Sequence, residues 1–227
     1  MRLSFTRHSM AGSDRISLTP DALVIAGWAA RDEAAVRHHI EELAAIGVPP
    51  PSSVPVYYRA AAANLTQAEV LEVLGPDSSG EVEPVLLSLA DGLWVGLGSD
   101  HTDRKAEAIG IALSKQMCGK PVGRDLWRLE EVEPHWDSLI LRATATIDGE
   151  AVLYQEGSLA ALRHPRDLLA RRPGGPGLPP GTLMFCGTLG AIGGIRPSSH
   201  FAMELHDPVL GRSLRHAYRV AELPVIA

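Results

Sequence analysis

From residue 80 to residue 100 the chain reads GEVEPVLLSLADGLWVGLGSD, and this stretch predicts a β-hairpin. Two apolar runs flank the dipeptide Asp91-Gly92, and both of these residues tolerate the positive φ that a tight type I′ turn needs. With Asp91-Gly92 as a two-residue loop, the flanking strands pair outward on either side. Pro84 cannot donate a hydrogen bond to a sheet ladder, so it predicts an edge strand or a bulge at its position.

Three carboxylates fall on one face of this predicted hairpin. The register places Glu83 directly opposite Asp100, with Cβ atoms roughly 5 Å apart, and Glu81 lies two residues along on the same face. Three anions this close repel one another unless a cation lies between them. Oxygen-only ligands suit a hard ion, so the cluster predicts a site for Mg²⁺, with Mn²⁺ or Ca²⁺ as alternatives. The other interpretation is a group of solvated charges at the open end of a hairpin.

A helix predicted over residues 33–46 carries a second constellation. Asp32 can cap this helix, and Val36 belongs to its apolar stripe. His39 and Glu42 are three residues apart on a face beside that stripe. A carboxylate bonded to an imidazole holds the ring in one tautomer, as a general base needs in order to take a proton from water. The alternative is an ordinary surface helix, on which such polar pairs are common.

Length and composition set the broad class. A chain of 227 residues with 45% hydrophobic residues can bury a substantial core. No stretch approaches the ~20 consecutive apolar residues of a membrane span, and the first residues lack the apolar region of a secretory signal. The formal charge of −6 and the lack of a basic stripe argue against a nucleic-acid partner. Two unpatterned cysteines are typical of a cytoplasmic protein.

The remaining pattern is mostly that of strands. It predicts short helices at residues 66–74 and 102–117, a second hairpin around Asp148-Gly149, and strands over much of the rest of the C-terminal half.

Several short stretches follow one another in a recognisable order. They are Arg31-Asp32 before His39-x-x-Glu42, Pro55-Val56-Tyr57-Tyr58-Arg59, Glu81-Val82-Glu83, Ser99-Asp100-His101-Thr102-Asp103-Arg104, Gln155-Glu156-Gly157-Ser158, and Gly187-Thr188 within a Gly-rich segment. From about residue 25 to residue 220, this order resembles the fumarylacetoacetate hydrolase superfamily. Ser99 and Leu189 stand where that family has Asn and Pro, so the resemblance is to a divergent branch.

The resemblance implies an α+β fold. It would be a mixed β-sandwich or β-roll of the type found in the family's C-terminal domain, preceded by a short N-terminal region of strands and a lid helix. The expected division is residues 1–50 for the N-terminal strands and lid helix and 51–227 for the metal-binding catalytic β-roll, or a single domain over 1–227. A homodimer is also expected, because the family forms homodimers.

The resemblance also implies site roles. Glu81, Glu83 and Asp100 would hold the metal, and His39 with Glu42 would activate water. Lys120, with Lys115 as second choice, would add positive charge beside an enolate. The expected substrate-binding residues are Tyr58, Arg59, Arg104, Gln155 and Thr188. His101, on the opposite face of the strand from Asp100, is expected to be structural.

The implied activity is metal-dependent hydrolysis of a C–C bond next to a carbonyl in a small acylpyruvate or β-diketo acid. In this reaction the metal stabilises an enolate and the His/Glu pair activates the water. Decarboxylation or tautomerisation of an oxaloacetate-like 2-oxo acid at the same site is the first alternative. A non-catalytic metabolite-binding protein that retains the metal ligands is the second.

Overall fold

Two sheets, one of eight strands and one of five, carry most of the described chain. The computed structural model describes residues 1–45 and 50–226, without the side chains of residues 39, 42, 43 and 45. In chain order the strands are β1 (Leu3–Ser9), β2 (Gly12–Leu18), β3 (Ala22–Gly27), β4 (Val56–Ala60), β5 (Leu65–Thr66), β6 (Val70–Leu74), β7 (Ser78–Ser79), β8 (Val82–Leu89), β9 (Gly92–Ser99), β10 (Thr102–Asp103), β11 (Lys120–Pro121), β12 (Asp125–Arg128), β13 (Ile140–Ile147), β14 (Glu150–Ser158), β15 (Thr182–Phe185), β16 (His200–Asp207) and β17 (Arg212–Leu223). The α-helices are α1 (Glu33–Ala45), α2 (Arg104–Glu107), α3 (Ile111–Met117), α4 (Leu129–Val132) and α5 (Pro165–Arg171).

Both sheets are mixed, and they pack against each other. The larger has the order β2-β1-β12-β9-β8-β15-β3-β4, and the smaller has the order β14-β13-β16-β17-β6. One core lies between them, where Leu86 and Val95 of the larger sheet belong to the same buried cluster as Leu141 and Met203 of the smaller one. A second core covers the other face of the larger sheet. Strands β3 and β8 are therefore buried on both faces, which explains their unbroken apolar runs.

The predicted hairpin forms as β8 and β9, with its loop one residue earlier than expected. Gly92 is the first paired residue of β9, so the two loop residues are Ala90 and Asp91. Gly92 takes a positive φ of 127°, whereas neither loop residue has a positive φ. The type I′ turn on Asp91-Gly92 was therefore a wrong prediction. A contact from another strand holds this loop: Arg7 of β1 donates to the Asp91 carboxylate at 2.6 Å.

The observed register moves Glu83 away from its predicted partner. Glu83 pairs with Gly98, and the backbone N–H of Asp100 instead donates to the carbonyl of Glu81 at 2.9 Å. The difference from the predicted register is two residues. Because side chains alternate with period two, each one stays on its predicted face of the sheet.

Several other local predictions are wrong. Pro84 was predicted at an edge or a bulge but lies in a central strand without a bulge, and the ladder from β8 to β15 ends at the next residue, Val85. The helix predicted over residues 66–74 is absent: Val70–Leu74 form strand β6, because this segment pairs in parallel with β17. The predicted helix at 102–117 is divided between β10, α2 and α3. The Asp148-Gly149 hairpin is confirmed, with φ values of 52° and 84°.

Helix α1 begins where predicted and its start is fixed to the rest of the chain. The Asp32 carboxylate accepts hydrogen bonds from two backbone N–H groups of the first turn, at 2.9 and 3.0 Å. Arg31 forms a bidentate pair with Asp137, with both bonds at 2.7 Å. The division of the chain near residue 50 and the lid role of α1 stay predictions, and the strands on either side of the helix, β3 and β4, pair in one sheet.

These elements give a strand-rich fold of mixed sheets with short helices, in agreement with the predicted class. In the described part of the chain, no helix is long and apolar enough to cross a membrane.

Candidate metal centre

The three predicted carboxylates meet at the open end of the β8–β9 hairpin. Carboxylate oxygens of Glu81, Glu83 and Asp100 lie within 4.8 Å of one another. Glu83 and Asp100 are buried and Glu81 is partly exposed. Together they line a cavity of about 470 Å³. The structure thus brings the cluster together, through pairing of Glu81 with Asp100 rather than of Glu83 with Asp100.

The pKa of Glu83 is raised well above its usual range. Burial is the largest cause, and the negative charges of Asp100 and Glu81 add to it. The backbone N–H of Gly187 donates to Glu83 Oε2 at 2.7 Å, but this bond opposes the shift only in part. A cation beside the carboxylates favours the ionised form, so metal binding and loss of the Glu83 proton are coupled.

Two lysines approach Asp100 from different directions. Lys115 Nζ donates to Asp100 Oδ2 and lies 3.3 Å from Glu81 Oε2, and its side chain lines the cavity. Lys120 Nζ lies 2.9 Å from Asp100 Oδ1, but Lys120 is fully buried and is not part of the cavity wall. Burial opposes ionisation of Asp100, yet the two ammonium groups outweigh it and lower the pKa of that carboxyl.

The geometry therefore separates the two lysines that sequence analysis considered. Burial disfavours the charged form of Lys115, but the carboxylates of Glu81 and Asp100 outweigh burial and raise its pKa. Lys115 thus presents a permanent positive charge to the cavity, and Lys120 supplies its charge from behind Asp100.

Arg104 joins the cluster to a fourth carboxylate. One of its terminal nitrogens lies 2.9 Å from Glu81 and the other lies 2.9 Å from Glu107. All three of these side chains line the cavity. Burial disfavours the charged guanidinium, but Glu81 and Glu107 outweigh burial and raise its pKa. In this structure Arg104 is committed to orienting Glu81.

Gln155 and Thr188 hold the peptide that joins the first two carboxylates. Gln155 Oε1 accepts from the N–H of Val82 at 3.0 Å, and Thr188 Oγ1 donates to the carbonyl of Val82 at 2.8 Å. Gln155 Nε2 donates to Thr188 Oγ1 at 2.8 Å, which closes the set. We name Gln155, Thr188 and Val82 the backbone clamp. Both side chains, predicted as substrate ligands, line the cavity and also make these structural hydrogen bonds; their substrate-binding role stays a prediction.

Tyr58 and Arg59 are placed differently by the sheet. They are adjacent on β4, so their side chains face opposite sides. Tyr58 lines the cavity, and burial raises the pKa of its hydroxyl. Arg59 is exposed and is not among the residues of the cavity wall. The structure does not bring Arg59 to the site.

The predicted general base lies on α1. The side chains of His39 and Glu42 lie outside the described residues, so their role stays a prediction. Ala35 and Val36 of the same helix line the cavity, and position 39 follows Val36 by about one helical turn. The helix backbone therefore runs beside the site.

His101 is held in a polar network behind Asp100. Its Nδ1 lies 2.9 Å from the Tyr218 hydroxyl and its Nε2 lies 2.9 Å from the Ser78 hydroxyl. Burial is the main cause that lowers the pKa of His101 to about 3. A neutral, fully bonded imidazole is a structural group here and not a metal ligand.

The donor set fits a hard divalent ion. All three grouped ligands are carboxylate oxygens, the type that Mg²⁺ binds. Asp100 Oδ1 has an ion-pair contact to Lys120 but no aligned hydrogen-bond donor within the described chain, so it retains a lone pair for a metal. The cluster could therefore hold a divalent metal, with Glu81, Glu83 and Asp100 as ligands.

Comparison with known proteins identifies the family. A family model described as a protein of unknown function, DUF2848, matches residues 26–218. The chain belongs to the DUF2848 family. No curated protein matches its sequence.

Solved structures show the fold of this DUF2848 protein in other chains. One, described as crystal structures of Cg1458, has a TM-score of 0.63 and 13% identity, covering 98% of this chain and 100% of the other. A 2-keto-3-deoxy-D-arabinonate dehydratase complexed with magnesium and 2,5-dioxopentanoate has a TM-score of 0.64 and 14% identity, covering 96% and 79%. Both belong to the fumarylacetoacetate hydrolase superfamily. The DUF2848 chain therefore shares its fold with these two chains.

Among the cavity residues of this DUF2848 chain that the sequence did not indicate as site residues are Trp28 and Glu107. Glu107 carried a usable signal, since it lies three residues after Arg104 on the same helical face. Trp28 carried none, because its φ of 57° is a conformation that the sequence does not predict for a bulky residue.

Proposed function

We propose that this protein is a metal-dependent enzyme that hydrolyses a C–C bond next to a carbonyl in a small acylpyruvate or β-diketo acid. The observation that carries the proposal is that the grouped carboxylates of Glu81, Glu83 and Asp100 line the same cavity as Lys115. A fold shared with a 2-keto acid dehydratase complexed with magnesium supports it. The reaction adds water to an acyl carbonyl and releases a carboxylic acid and pyruvate.

The metal site is formed by the three carboxylates. When bound, a divalent ion supplies Lewis-acid polarisation of the substrate's oxygen atoms. The backbone clamp keeps Glu81 and Glu83 in position by fixing both polar groups of Val82. Arg104 orients the Glu81 carboxylate from the other side.

Lys115 is the cation that faces the substrate space. Its ammonium group, beside Glu81 and Asp100, would stabilise negative charge that develops on a substrate oxygen as the bond breaks. Lys120 would act indirectly, by keeping Asp100 ionised from behind.

Helix α1 would supply the base. His39 would take a proton from the attacking water and Glu42 would hold the imidazole in the correct tautomer. The support for this assignment is that Ala35 and Val36, one turn earlier, line the cavity. We also propose that the protein is a cytoplasmic homodimer with no nucleic-acid partner.

Dehydration of a 2-keto acid is a second candidate, favoured by the solved dehydratase of the same fold. Decarboxylation or tautomerisation of an oxaloacetate-like acid uses the same metal ligands and Lys115. Neither elimination of water nor loss of CO₂ requires His39 to activate a water molecule, so these candidates differ from hydrolysis in their dependence on α1.

The test is a turnover screen with purified protein and Mg²⁺ or Mn²⁺, with EDTA as control. The substrates are 2,4-dioxo acids, oxaloacetate and a 2-keto-3-deoxy sugar acid, and products are identified by mass spectrometry. Metal-dependent formation of pyruvate from a 2,4-dioxo acid is the expected result. Release of water or CO₂ with intact 2,4-dioxo acids would replace hydrolysis with the corresponding alternative, and metal binding without any turnover would favour a binding protein.

A further inference from the structure

Two chemically different groups of side chains line the cavity. The carboxylates and Lys115 form one group, and apolar side chains from the residue after β3, from α1 and from the segment after β15 form the other. We name this second group the apolar wall; its members are Trp28, Ala35, Val36, Leu189, Ala191 and Ile195. A volume of about 470 Å³ lies within the range of roughly 300–1,000 Å³ that takes sizeable ligands. The cavity therefore has room for more than a 2-oxo acid head group.

Trp28 is built into the apolar wall at a conformational cost. Its φ of 57° lies in the left-handed region, which is rare for bulky residues and concentrated at functional sites. The Trp28 side chain hydrogen-bonds the Tyr58 hydroxyl. The residue before it is Gly27, where a Cβ would lie 2.7 Å from the Tyr58 ring. The local sequence thus lets Trp28 and Tyr58 stand together on the cavity surface.

The net charge around the carboxylate cluster, with a divalent ion bound, can be balanced by one substrate carboxylate. Among the described residues, four carboxylates line the cavity, from Glu81, Glu83, Asp100 and Glu107, together with two cations, Arg104 and Lys115. Lys120 adds a third cation behind Asp100. With all of these groups ionised, one negative charge is in excess, and a divalent ion turns this into one positive charge. A single carboxylate balances it.

A second carboxylate would find no unpaired cation in the described part of the cavity lining. The two cations that line it are already ion-paired, Arg104 with Glu81 and Glu107 and Lys115 with Glu81 and Asp100. A carboxylate that loses its water against the buried side chain of Val36 gains no cation in return, which is costly. The same wall offers little to the hydroxyl groups of a sugar acid.

From these observations we infer that the substrate is a monocarboxylic 2-oxo acid with an apolar tail, and that Trp28 determines specificity for the tail. The inference rests on the proposed function for the placement of the head group. The oxo acid end lies at the carboxylate cluster, and an alkyl or aryl tail packs on the apolar wall. Dicarboxylic and polyhydroxylated acids are disfavoured.

The first experiment measures binding without turnover. Pyruvate, 2-oxooctanoate and 2-oxooctanedioate are titrated into the Mg²⁺-loaded protein by calorimetry. The expected result is that 2-oxooctanoate binds at least about tenfold more tightly than pyruvate, because one methylene in a hydrophobic pocket discriminates by roughly 10- to 200-fold. The dicarboxylate of equal length should bind more weakly than 2-oxooctanoate. Equal affinities, or a preference for the dicarboxylate, would overturn the inference.

Turnover separates this inference from the proposed reaction. The pair 2,4-dioxooctanoate and 2,4-dioxooctanedioate tests cleavage with the same tail length. Tail-dependent binding without cleavage of either acid would reject hydrolysis and support the tail inference. Cleavage with no preference between them would support hydrolysis and overturn the inference. Absence of metal-dependent binding for all three titrated acids would reject the proposed function itself.

Substitutions in the apolar wall test which residues produce the preference for 2-oxooctanoate over pyruvate. Trp28→Ala should reduce the preference for 2-oxooctanoate over pyruvate by about tenfold, and Trp28→Phe, which keeps an aromatic ring, should retain most of it. A second pair does not depend on the strained backbone. Ile195→Ala should weaken 2-oxooctanoate binding, whereas Ile192→Ala should not, because Ile192 is a similarly exposed residue of the same segment (48% against 55%) outside the cavity wall. An unchanged preference in Ile195→Ala and Trp28→Ala would contradict the assignment of the wall.

Discussion

The backbone N–H of Asp100 donates to the carbonyl of Glu81 at 2.9 Å. This backbone hydrogen bond holds together two of the three residues whose carboxylates form the site. Glu83 is two residues further along β8, on the same face as Glu81. The cluster therefore depends on the pairing at the open end of the hairpin, where backbone hydrogen bonds hold like charges together.

Glu83→Gln should stabilise the metal-free protein and remove its response to metal. Because the pKa of Glu83 is raised in the folded state, the folded protein binds this proton more tightly than the unfolded chain does. Its contribution is therefore present below the unfolded pKa of about 4.5 and is lost as pH rises through the folded pKa. At pH 8 in EDTA, the neutral amide avoids that loss, and the melting temperature should rise by about 2–4 °C for each kcal/mol gained.

The measurement is thermal unfolding of both proteins with EDTA and with Mg²⁺, between pH 5 and pH 8. The wild-type protein should gain stability with Mg²⁺ and Glu83→Gln should not. Glu150→Gln, at an exposed carboxylate, is the matched control and should behave as the wild type. A Glu83→Gln protein that Mg²⁺ still stabilises would remove Glu83 from the metal site.

Lys115→Met should mainly lower kcat, whereas Lys120→Met should mainly lower the stability of the fold. Lys115 lines the cavity, so its loss should lower kcat by about 10²–10³, as for removal of one group that stabilises developing charge. Lys120 is fully buried behind Asp100, so its loss should cost about 1–3 kcal/mol of stability, because it removes one of the two cations beside Asp100 and leaves the buried carbonyl of His101 without its donor. Urea unfolding and steady-state kinetics on both variants distinguish the two roles. A larger loss of kcat in a stably folded Lys120→Met than in Lys115→Met would reverse the assignment.

His39→Gln should lower kcat for hydrolysis by about 10²–10⁴, because the amide cannot accept a proton near neutral pH. Glu42→Gln should have a smaller effect of the same kind, since it removes only the support of the imidazole. His38→Gln is the matched control on the neighbouring position, and affinity for Mg²⁺, measured by calorimetry, should be retained in all three. Similar kinetics for His38→Gln and His39→Gln would argue against a specific base and towards an elimination or decarboxylation.

Substitutions at Gln155 and Thr188 of the backbone clamp should weaken metal binding, although neither residue is a metal ligand. Gln155→Leu leaves the N–H of Val82 without its acceptor, at a cost of about 1–3 kcal/mol, and frees the segment between Glu81 and Glu83. Thr188→Val should do similar damage and Thr188→Ser should not, because serine keeps the hydroxyl that bonds Val82. Calorimetric Mg²⁺ affinity and unfolding free energy are measured together. If Thr188→Val and Thr188→Ser bind Mg²⁺ equally well, the hydroxyl has no positioning role.

In the β8–β9 hairpin, local sequence determines which face each side chain takes, whereas the register depends on distant contacts. Alternation of side chains is a local property of a strand, so the sequence was sufficient to place Glu81, Glu83 and Asp100 on one face. The register depends on the loop, and Asp91 is bonded to Arg7 of another strand, which no local pattern reveals. The prediction of a shared site survived because its error in register was an even number of residues.

The sequence by itself determined the capped start of α1, the Asp148-Gly149 hairpin and the strand-rich class, because each follows from the conformational preferences of neighbouring residues. It also indicated that Tyr58 and Arg59, as adjacent residues of a strand, point to opposite faces of the sheet. Only the tertiary structure decided which lysine reaches the cavity, which hydroxyl and amide are used for the backbone clamp, and that Trp28 adopts a left-handed conformation. These outcomes depend on contacts between residues far apart in the chain, and the free energy that selects them comes from packing and hydrogen bonds that exist only once both sheets have assembled.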